Sequence, residues 1–255
     1  MELSIIMLAY NQPSMELATT IQLLETTKDV SRELIIIVQD HENYSRENIN
    51  AWATMEDVKV IGMDENVGIP RGWNAGVKEA RGEYVCIANS DITLPRSWYE
   101  RLRMTLNTKG MNVGVTGPTT SNAKNEQGQV RLEGDQTMIT PEAVNELNEL
   151  LWRTLTRRRP VQVKYVNGFF YLTTRAIIEE VGPFDEEYGL GYFEEYDWNK
   201  RLQEKGYVSA WSPWVFIHHM GSMTFKRMDE QGFDSAQLRE DSGRKFLKKW
   251  NEMKG

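Results

Sequence analysis

Residues 83–94 read EYVCIANSDITL, Glu83 to Leu94. The apolar run Tyr84-Val85-Cys86-Ile87-Ala88 is short and unbroken, the pattern of a strand buried on both faces of a mostly parallel sheet. It stops abruptly at the polar triplet Asn89-Ser90-Asp91. Open α/β sheets bind ligands beyond the carboxyl ends of their strands, so a carboxylate there has a natural task. Asp91 can offer a hard oxygen to a divalent cation that in turn holds a diphosphate, or it can simply cap a turn ahead of Pro95.

Upstream, three more apolar runs, Leu3 to Leu8, Leu34 to Val38 and Val58 to Ile61, read as strands. Helical patterns separate them. One carries Leu17, Ile21 and Leu24, a short one surrounds Ile49 and Trp52, and one from about Pro70 carries Trp73, Val77 and Ala80 before Gly82. Alternation of this kind implies parallel strands joined by right-handed crossovers, a doubly wound half suited to nucleotides.

Downstream, Pro95 opens a helix with Trp98, Leu102 and Leu106, and Val113 to Thr116 is a strand. Thr119 to Gly134 is polar and reads as a long, functional loop. A helix follows over Pro141 to Leu155, closed by Arg157-Arg158-Arg159, a solvated helix end or a contact for an anionic partner. Val161 to Thr173 is strongly β-like, and a short helix runs from Thr174 to Val181. A Gly- and Tyr-rich loop, Phe184 to Phe193, leads into a helix that begins Glu194-Glu195-Tyr196-Asp197 and reaches Lys205. Short strands at Val208 to Trp211 and Trp214 to Ile217 feed His218-His219, and a charged helix runs from Ser235 to about Lys249.

The 255 residues, 40% hydrophobic and 26% charged, are enough for one α/β domain with a real core. A formal net charge of -7 disfavours nucleic acid as a partner. The single cysteine, Cys86, excludes an internal disulfide and a cysteine zinc site, and points to a reducing compartment. The opening MELSIIMLAY has no basic region, and no run approaches the roughly 18 to 20 apolar residues of a spanning helix. A cytoplasmic protein is expected, with peripheral contact at the inner face of a membrane left open.

Two further groups carry chemistry. Glu194 and Glu195 each share a helical face with Trp198 and Leu202. A helix N-terminus favours their charged forms while partial burial opposes them, so either can serve as a base or merely complement the helix dipole. His218 and His219 are adjacent on a strand and point to opposite faces, so at most one faces a given metal. One imidazole and one carboxylate suit manganese or magnesium. Phosphate-binding glycine loops and a nucleophile elbow are absent, which removes the main support for kinase-like, dehydrogenase and hydrolase readings. The phosphates are then left to a metal together with Arg71 or Lys78.

Taken together, these blocks resemble the family 2 glycosyltransferases of the GT-A fold, over nearly the whole chain and in the family's order. LSIIMLAYNQP looks like the first strand and its nucleotide-binding turn, and DENVGIPRGWNAGVKEARGEYV like the glycine and asparagine block that follows. NSD stands where the family has D-x-D, GPFDEEYGLGYFEEYDWNKRLQEKGY resembles the acceptor-side block and acidic helix, and HHMGSMTF resembles the histidine segment.

The resemblance implies a GT-A fold, α/β with helices on both faces of the sheet. It divides a single domain over 1–255 into a nucleotide-sugar half over about 1–117, an acceptor-side half over about 118–234 and a C-terminal helix over about 235–255. It further implies inverting, metal-dependent transfer of a hexose from a UDP- or dTDP-linked donor, with Mn2+ or Mg2+ as cofactor. The acceptor would be a glycan, lipid-linked or protein-linked hydroxyl in surface polysaccharide or glycoprotein synthesis, and the donor preference resembles the rhamnosyltransferase subset.

Carried over by position, Asp91 and His219 become metal ligands, with His218 as the alternative, and Glu195 the base, with Glu194 and Asp197 as acidic neighbours. Tyr10 and Asp40 meet the nucleotide base, and Asn66, Arg71, Asn89 and Ser90 complete the donor site. Asn89 replaces the first aspartate of D-x-D, Glu195 replaces a commoner aspartate, Ala9 replaces a threonine, and the Gln39-Asp40 strand end is offset by one residue. Two other readings remain: a nucleotide-sugar-binding scaffold with a weakened site, and a nucleotidyltransferase, which lacks its glycine- and lysine-rich loop here.

Overall fold

The computed structural model describes residues 1–123, 125–128, 130, 139–155, 159–221 and 223–252. Part of the polar loop within 119–134 and two of the three arginines, Arg157 and Arg158, lie outside them.

The first half alternates β1 (Leu3–Ala9), α1 (Pro13–Thr26), β2 (Arg32–Val38), α2 (Arg46–Ala53), β3 (Val58–Gly62), α3 (Ile69–Glu79) and β4 (Tyr84–Ala88). Next come β5 (Ile92–Thr93), α4 (Trp98–Leu106), β6 (Val113–Thr119), α5 (Pro141–Leu155), β7 (Val161–Val163), β8 (Phe170–Thr174) and α6 (Arg175–Val181). The remainder is a short 3-10 turn (Glu186–Tyr188), α7 (Glu194–Glu204), β9 (Val208–Phe216), β10 (His218–His219), α8 (Met223–Glu230) and α9 (Ser235–Glu252).

Eight strands form one sheet in the order β3-β2-β1-β4-β8-β6-β9-β7. The first four are mutually parallel, β8 runs antiparallel to both β4 and β6, and β9 returns parallel to β6. Alternate residues of each central strand feed opposite cores. Ile5, Met7, Leu34, Ile36 and Cys86 pack with Trp52, Trp98 and Tyr99 on one face. On the other, Ile6, Ile35, Ile37, Val85 and Ile87 pack with Trp73, Tyr171 and Trp198. Burial on both faces is why these strands read as continuous apolar runs.

Two expectations about strands are corrected, and one helix is added. The β-like stretch Val161 to Thr173 is two strands, because the chain between them breaks from the ladder. There Val166 N–H donates to Asn199 Oδ1 (2.9 Å) and Asn167 N–H to Gln127 Oε1 (2.7 Å). The two strands expected on either side of Ser212 are one, β9, which passes through Pro213 and absorbs it with a shift of register against β6. Finally, α8 fills a stretch that sequence periodicity left unassigned.

Among the described residues no helix is long and apolar enough to cross a membrane.

Candidate active site

The carboxyl ends of the parallel strands open into a cleft of about 290 Å³. Tyr10 follows β1, Gln39 follows β2, Asn66 follows β3, and Asn89, Ser90 and Asp91 follow β4; all of them line it. Its other wall comes from the second half of the chain: Asn167, Gly168 and Phe169, the turn through Tyr192 and Phe193, Glu194 and Glu195 at the start of α7, His219, and α8.

A small second sheet brings the first chemical pair together. Directly after Asp91, β5 pairs antiparallel with β10, in a register that sets His219 opposite Ile92 and His218 opposite Thr93. Thr19 from α1 donates to the Ser90 carbonyl (2.7 Å), and Met220 N–H donates to the Asp91 carbonyl (3.0 Å), which fixes the turn. His219 Nε2 thereby lies 3.2 Å from Asp91 Oδ1 and 3.3 Å from Asn89 Nδ2, with the His219 ring stacked on Phe169 at 4.7 Å. Burial works to raise the Asp91 carboxyl, but His219 and the backbone N–H groups of Met223 and Asp91 outweigh it and hold the group below the usual carboxylate range. His218, on the opposite face of the strand, meets Ser121 Oγ through Nδ1 at 3.2 Å and does not line the cleft.

An oxygen and an imidazole nitrogen converging in this way fit a divalent cation such as Mn2+. Among the described residues no three His, Cys, Asp or Glu side chains gather. Asp91 and His219 would hold such a cation, which would supply positive charge to a bound diphosphate.

Across Gly168 and Phe169 stand the two glutamates. Glu194 is 3% exposed, and burial followed by the neighbouring Glu195 charge pushes its carboxyl well above the ordinary range. Burial raises Glu195 as well, to about 7, against the pull of the backbone N–H groups of Glu195, Gly168 and Tyr196. Each glutamate keeps one buried oxygen, Oε2, without a hydrogen-bond partner among the described residues. A carboxyl raised to about 7 in the wall of a cleft is equipped to take a proton from a hydroxyl.

The floor of the cleft beyond the ends of β1 and β2 depends on residues that sequence reasoning passed over. Gln39 is buried; its Oε1 accepts from Val67 N–H (2.9 Å) and its Nε2 donates to the Gly68 carbonyl (3.2 Å). Gly68 has φ +84°, and a Cβ on it would sit 2.1 Å from the Gly189 carbonyl oxygen, so only glycine allows this close approach. Under the Tyr10 turn, Glu16 is fully buried and accepts from the N–H groups of Tyr10 (2.6 Å) and Gln12 (3.3 Å) and from the Tyr44 hydroxyl. Burial raises its pKa to about 7 despite these donors.

Besides His218, three expected site residues sit elsewhere. Asp40 turns away at φ +51° and accepts from Asn43 (2.8 Å), because the turn after β2 places Gln39, one residue earlier, in the cleft. Arg71 is exposed on α3 and pairs with Glu186 at 3.1 Å, outside the cleft lining. Asp197 is fully buried on the far side of α7, bonded to Arg201 (2.9 Å), Lys249 (2.8 Å) and Trp250 (3.0 Å).

Comparison with known structures and sequences places this architecture. GalNAc-T7 in complex with UDP, GalNAc and Mn2+ superposes with a TM-score of 0.64 at 16% identity, covering 86% of this chain and 43% of that one. The mannosyltransferase PcManGT from Pyrobaculum calidifontis, in complex with GDP-Man and Mn2+, gives 0.63 at 14% identity, covering 87% and 57%. Residues 1–349 of TarS from S. aureus give 0.56 at 13% identity, covering 86% and 60%. The chain thus spans between two fifths and three fifths of these proteins, which share its GT-A fold. No curated protein sequence matches it. The pattern of Glycosyl transferase family 2 matches residues 4–182, which holds Asp91 and the turns after β1, β2 and β3 and stops short of Glu194, Glu195 and His219. That match takes in most of the sequence, and the chain belongs to glycosyl transferase family 2.

Proposed function

We propose that the protein transfers a sugar from a nucleotide diphosphate donor to an acceptor hydroxyl with inversion at the anomeric carbon. The observation that carries this reading is the arrangement of the cleft. The Asp91–His219 pair stands on one side of Gly168 and Phe169, and the raised carboxyl of Glu195 on the other. Tyr10, Gln39 and Asn66 line the nucleotide end, and Asn89, Ser90 and Asp91 lie where the diphosphate meets the strand ends. Asp91 and His219 are the residues to hold Mn2+ or Mg2+, which when bound supplies positive charge to a departing diphosphate. Glu195 takes the proton of the acceptor hydroxyl as that oxygen attacks. Beside it, burial and the Glu195 charge push the Glu194 carboxyl well above the ordinary range, so the two do not readily ionise together.

UDP- or dTDP-linked hexoses are the first donors to test, and GDP-linked ones belong in the same panel because a structural neighbour binds GDP-Man. The acceptor is a hydroxyl of a growing surface polysaccharide or glycoprotein glycan, and the setting is the cytoplasm, at or near the inner face of a membrane. Incubation with nucleotide sugars and Mn2+, followed by NMR of the product linkage, tests the reaction. A glycoside of anomeric configuration opposite to the donor, lost in Glu195→Gln while nucleotide binding persists, supports it. Retained configuration, or full activity in Glu195→Gln, overturns it.

A further inference from the structure

Of the residues lining the cleft, Arg239 is the only lysine or arginine among those described. It comes from the first turns of α9, far beyond the residues that carry the family pattern. Its acidic neighbours on that helix are already engaged, since Glu240 and Asp241 both pair with Arg244. No ion pair to Arg239 occurs among the described residues. Its guanidinium lies 6.0 Å from the centre of the Tyr192 ring, a contact that orients a cation without neutralising it.

The turn beneath it is built at a cost. Tyr192 and Phe193, two consecutive bulky residues, have φ of +67° and +73°, in the left-handed region that such side chains rarely adopt. α9 holds them there. Ser242 donates to the Gly191 carbonyl (3.0 Å), Gly243 lies directly under the Phe193 ring, and Phe246 packs on the same ring at 5.6 Å. The result turns Tyr192 and Phe193 into the cleft with Glu195 and places Arg239 over the Tyr192 ring. Tyr196 and Tyr165, stacked at 3.7 Å with their hydroxyls hydrogen-bonded to each other, continue the wall.

We infer that Arg239, with the aromatic wall of Tyr192, Tyr196 and Tyr165, forms an acceptor subsite that reads an acidic group on the glycan receiving the sugar. The inference rests on the transferase reading and gives it a substrate class. Guanidinium matches the paired oxygens of a carboxylate or a phosphate; Tyr192 is stacked on Phe225 (4.6 Å) and Tyr165 on Tyr196, so the aromatic wall is rigid and presents ring edges and hydroxyls beside the cation. The donor diphosphate is the other anion in such a reaction. Arg239 stands with the Glu195 side: its charge acts on Glu195, Tyr165, Tyr192 and Tyr196, pulling against the burial that raises them. The charge that acts most on Asp91 is that of His219, with which it is paired.

NMR titration of the nucleotide-free protein with methyl glucoside, methyl glucuronide and methyl glucoside 6-phosphate tests the subsite. Separate calorimetric titrations with UDP, dTDP and GDP in Mn2+ report the donor end. The expected result is that one or both acidic probes bind about tenfold tighter than the neutral glycoside, a difference of about 1.4 kcal/mol. Arg239→Gln should erase that preference and leave nucleotide affinity unchanged. Equal binding of all three probes to the wild-type protein overturns the inference, as does a preference that survives in Arg239→Gln. Loss of nucleotide affinity in Arg239→Gln without any change among the glycosides assigns the arginine to the donor and overturns it too. If no nucleotide binds the wild-type protein while the acidic preference holds, the transferase reading fails and the subsite stands alone.

Discussion

Lys249 Nζ lies 2.8 Å from Asp197 Oδ1, and through that contact the last helix grips the helix that carries Glu194 and Glu195. Trp250 donates to the same oxygen, Arg201 holds the other, and Lys249 reaches on to Asp185 at 2.6 Å. A fully buried carboxylate needs such partners, because an unpaired charge in the interior is far costlier than an unmade surface pair.

Asp197→Asn, which leaves two cationic side chains facing a neutral amide, should lower unfolding stability by about 3 kcal/mol. Lys249→Met should cost less, about 1 to 2 kcal/mol, since Arg201 and Trp250 remain. Urea unfolding reads both. In Lys249→Met, turnover should fall more than donor affinity, because the contact sets α7 and leaves the nucleotide end alone; equal losses in both would show that it does not.

Glu195 predicts the pH profile. With a pKa raised to about 7, the carboxylate proposed as the base is the minor form at pH 6 and the major form at pH 8. Turnover should climb through an acid limb centred near 7 and level off above it. Glu195→Gln should lower turnover by about 100-fold or more and remove that limb. A flat profile between pH 6 and 8 in the wild-type protein would remove Glu195 from the role.

Glu16 predicts a pH-dependent stability of opposite usefulness. Its folded pKa is raised from 4.5 to about 7, so the folded state holds a proton that the unfolded chain has lost over that interval. The stabilisation is complete below pH 4.5 and is lost as pH rises toward 7. Depressed carboxyls such as Asp91 and Asp185 act in the other direction, so the difference between wild type and Glu16→Gln isolates the term. That difference should move against the wild-type protein between pH 4.5 and pH 7 and stay constant above it. Urea midpoints across the range would show no such movement if Glu16 were ordinarily ionised.

The parallel half was legible because its physics is local. Strands buried on both faces leave unbroken apolar runs, helices between them leave a 3.6-residue period, and Asn89-Ser90-Asp91 marks a strand end by an abrupt change in polarity. The second half hides its geometry in long-range pairing. Nothing near Val166 or Asn167 announces that their N–H groups go to Asn199 and Gln127, so one expected strand became two.

Some expected site residues come together in one cleft and others do not. Asp91 and the glutamates stand in the cleft. Asp40 gives way to Gln39, the residue directly after β2, and the position after a strand end was the available signal for it. Arg239 had no signal at all: it reaches the cleft only because α9 packs on the Tyr192–Phe193 turn, a contact across more than forty positions of sequence.

The central claim is that Asp91 and His219 hold a cation that holds a nucleotide diphosphate. Calorimetric titration of UDP, dTDP and GDP into the wild-type protein and Asp91→Ala, with Mn2+ and with chelator, tests it most directly. The account predicts that one nucleotide binds the wild-type protein, that Mn2+ strengthens the binding about tenfold or more, and that chelator and Asp91→Ala each remove that gain. Binding that ignores Mn2+, a gain that survives in Asp91→Ala, or no binding of any nucleotide would contradict it.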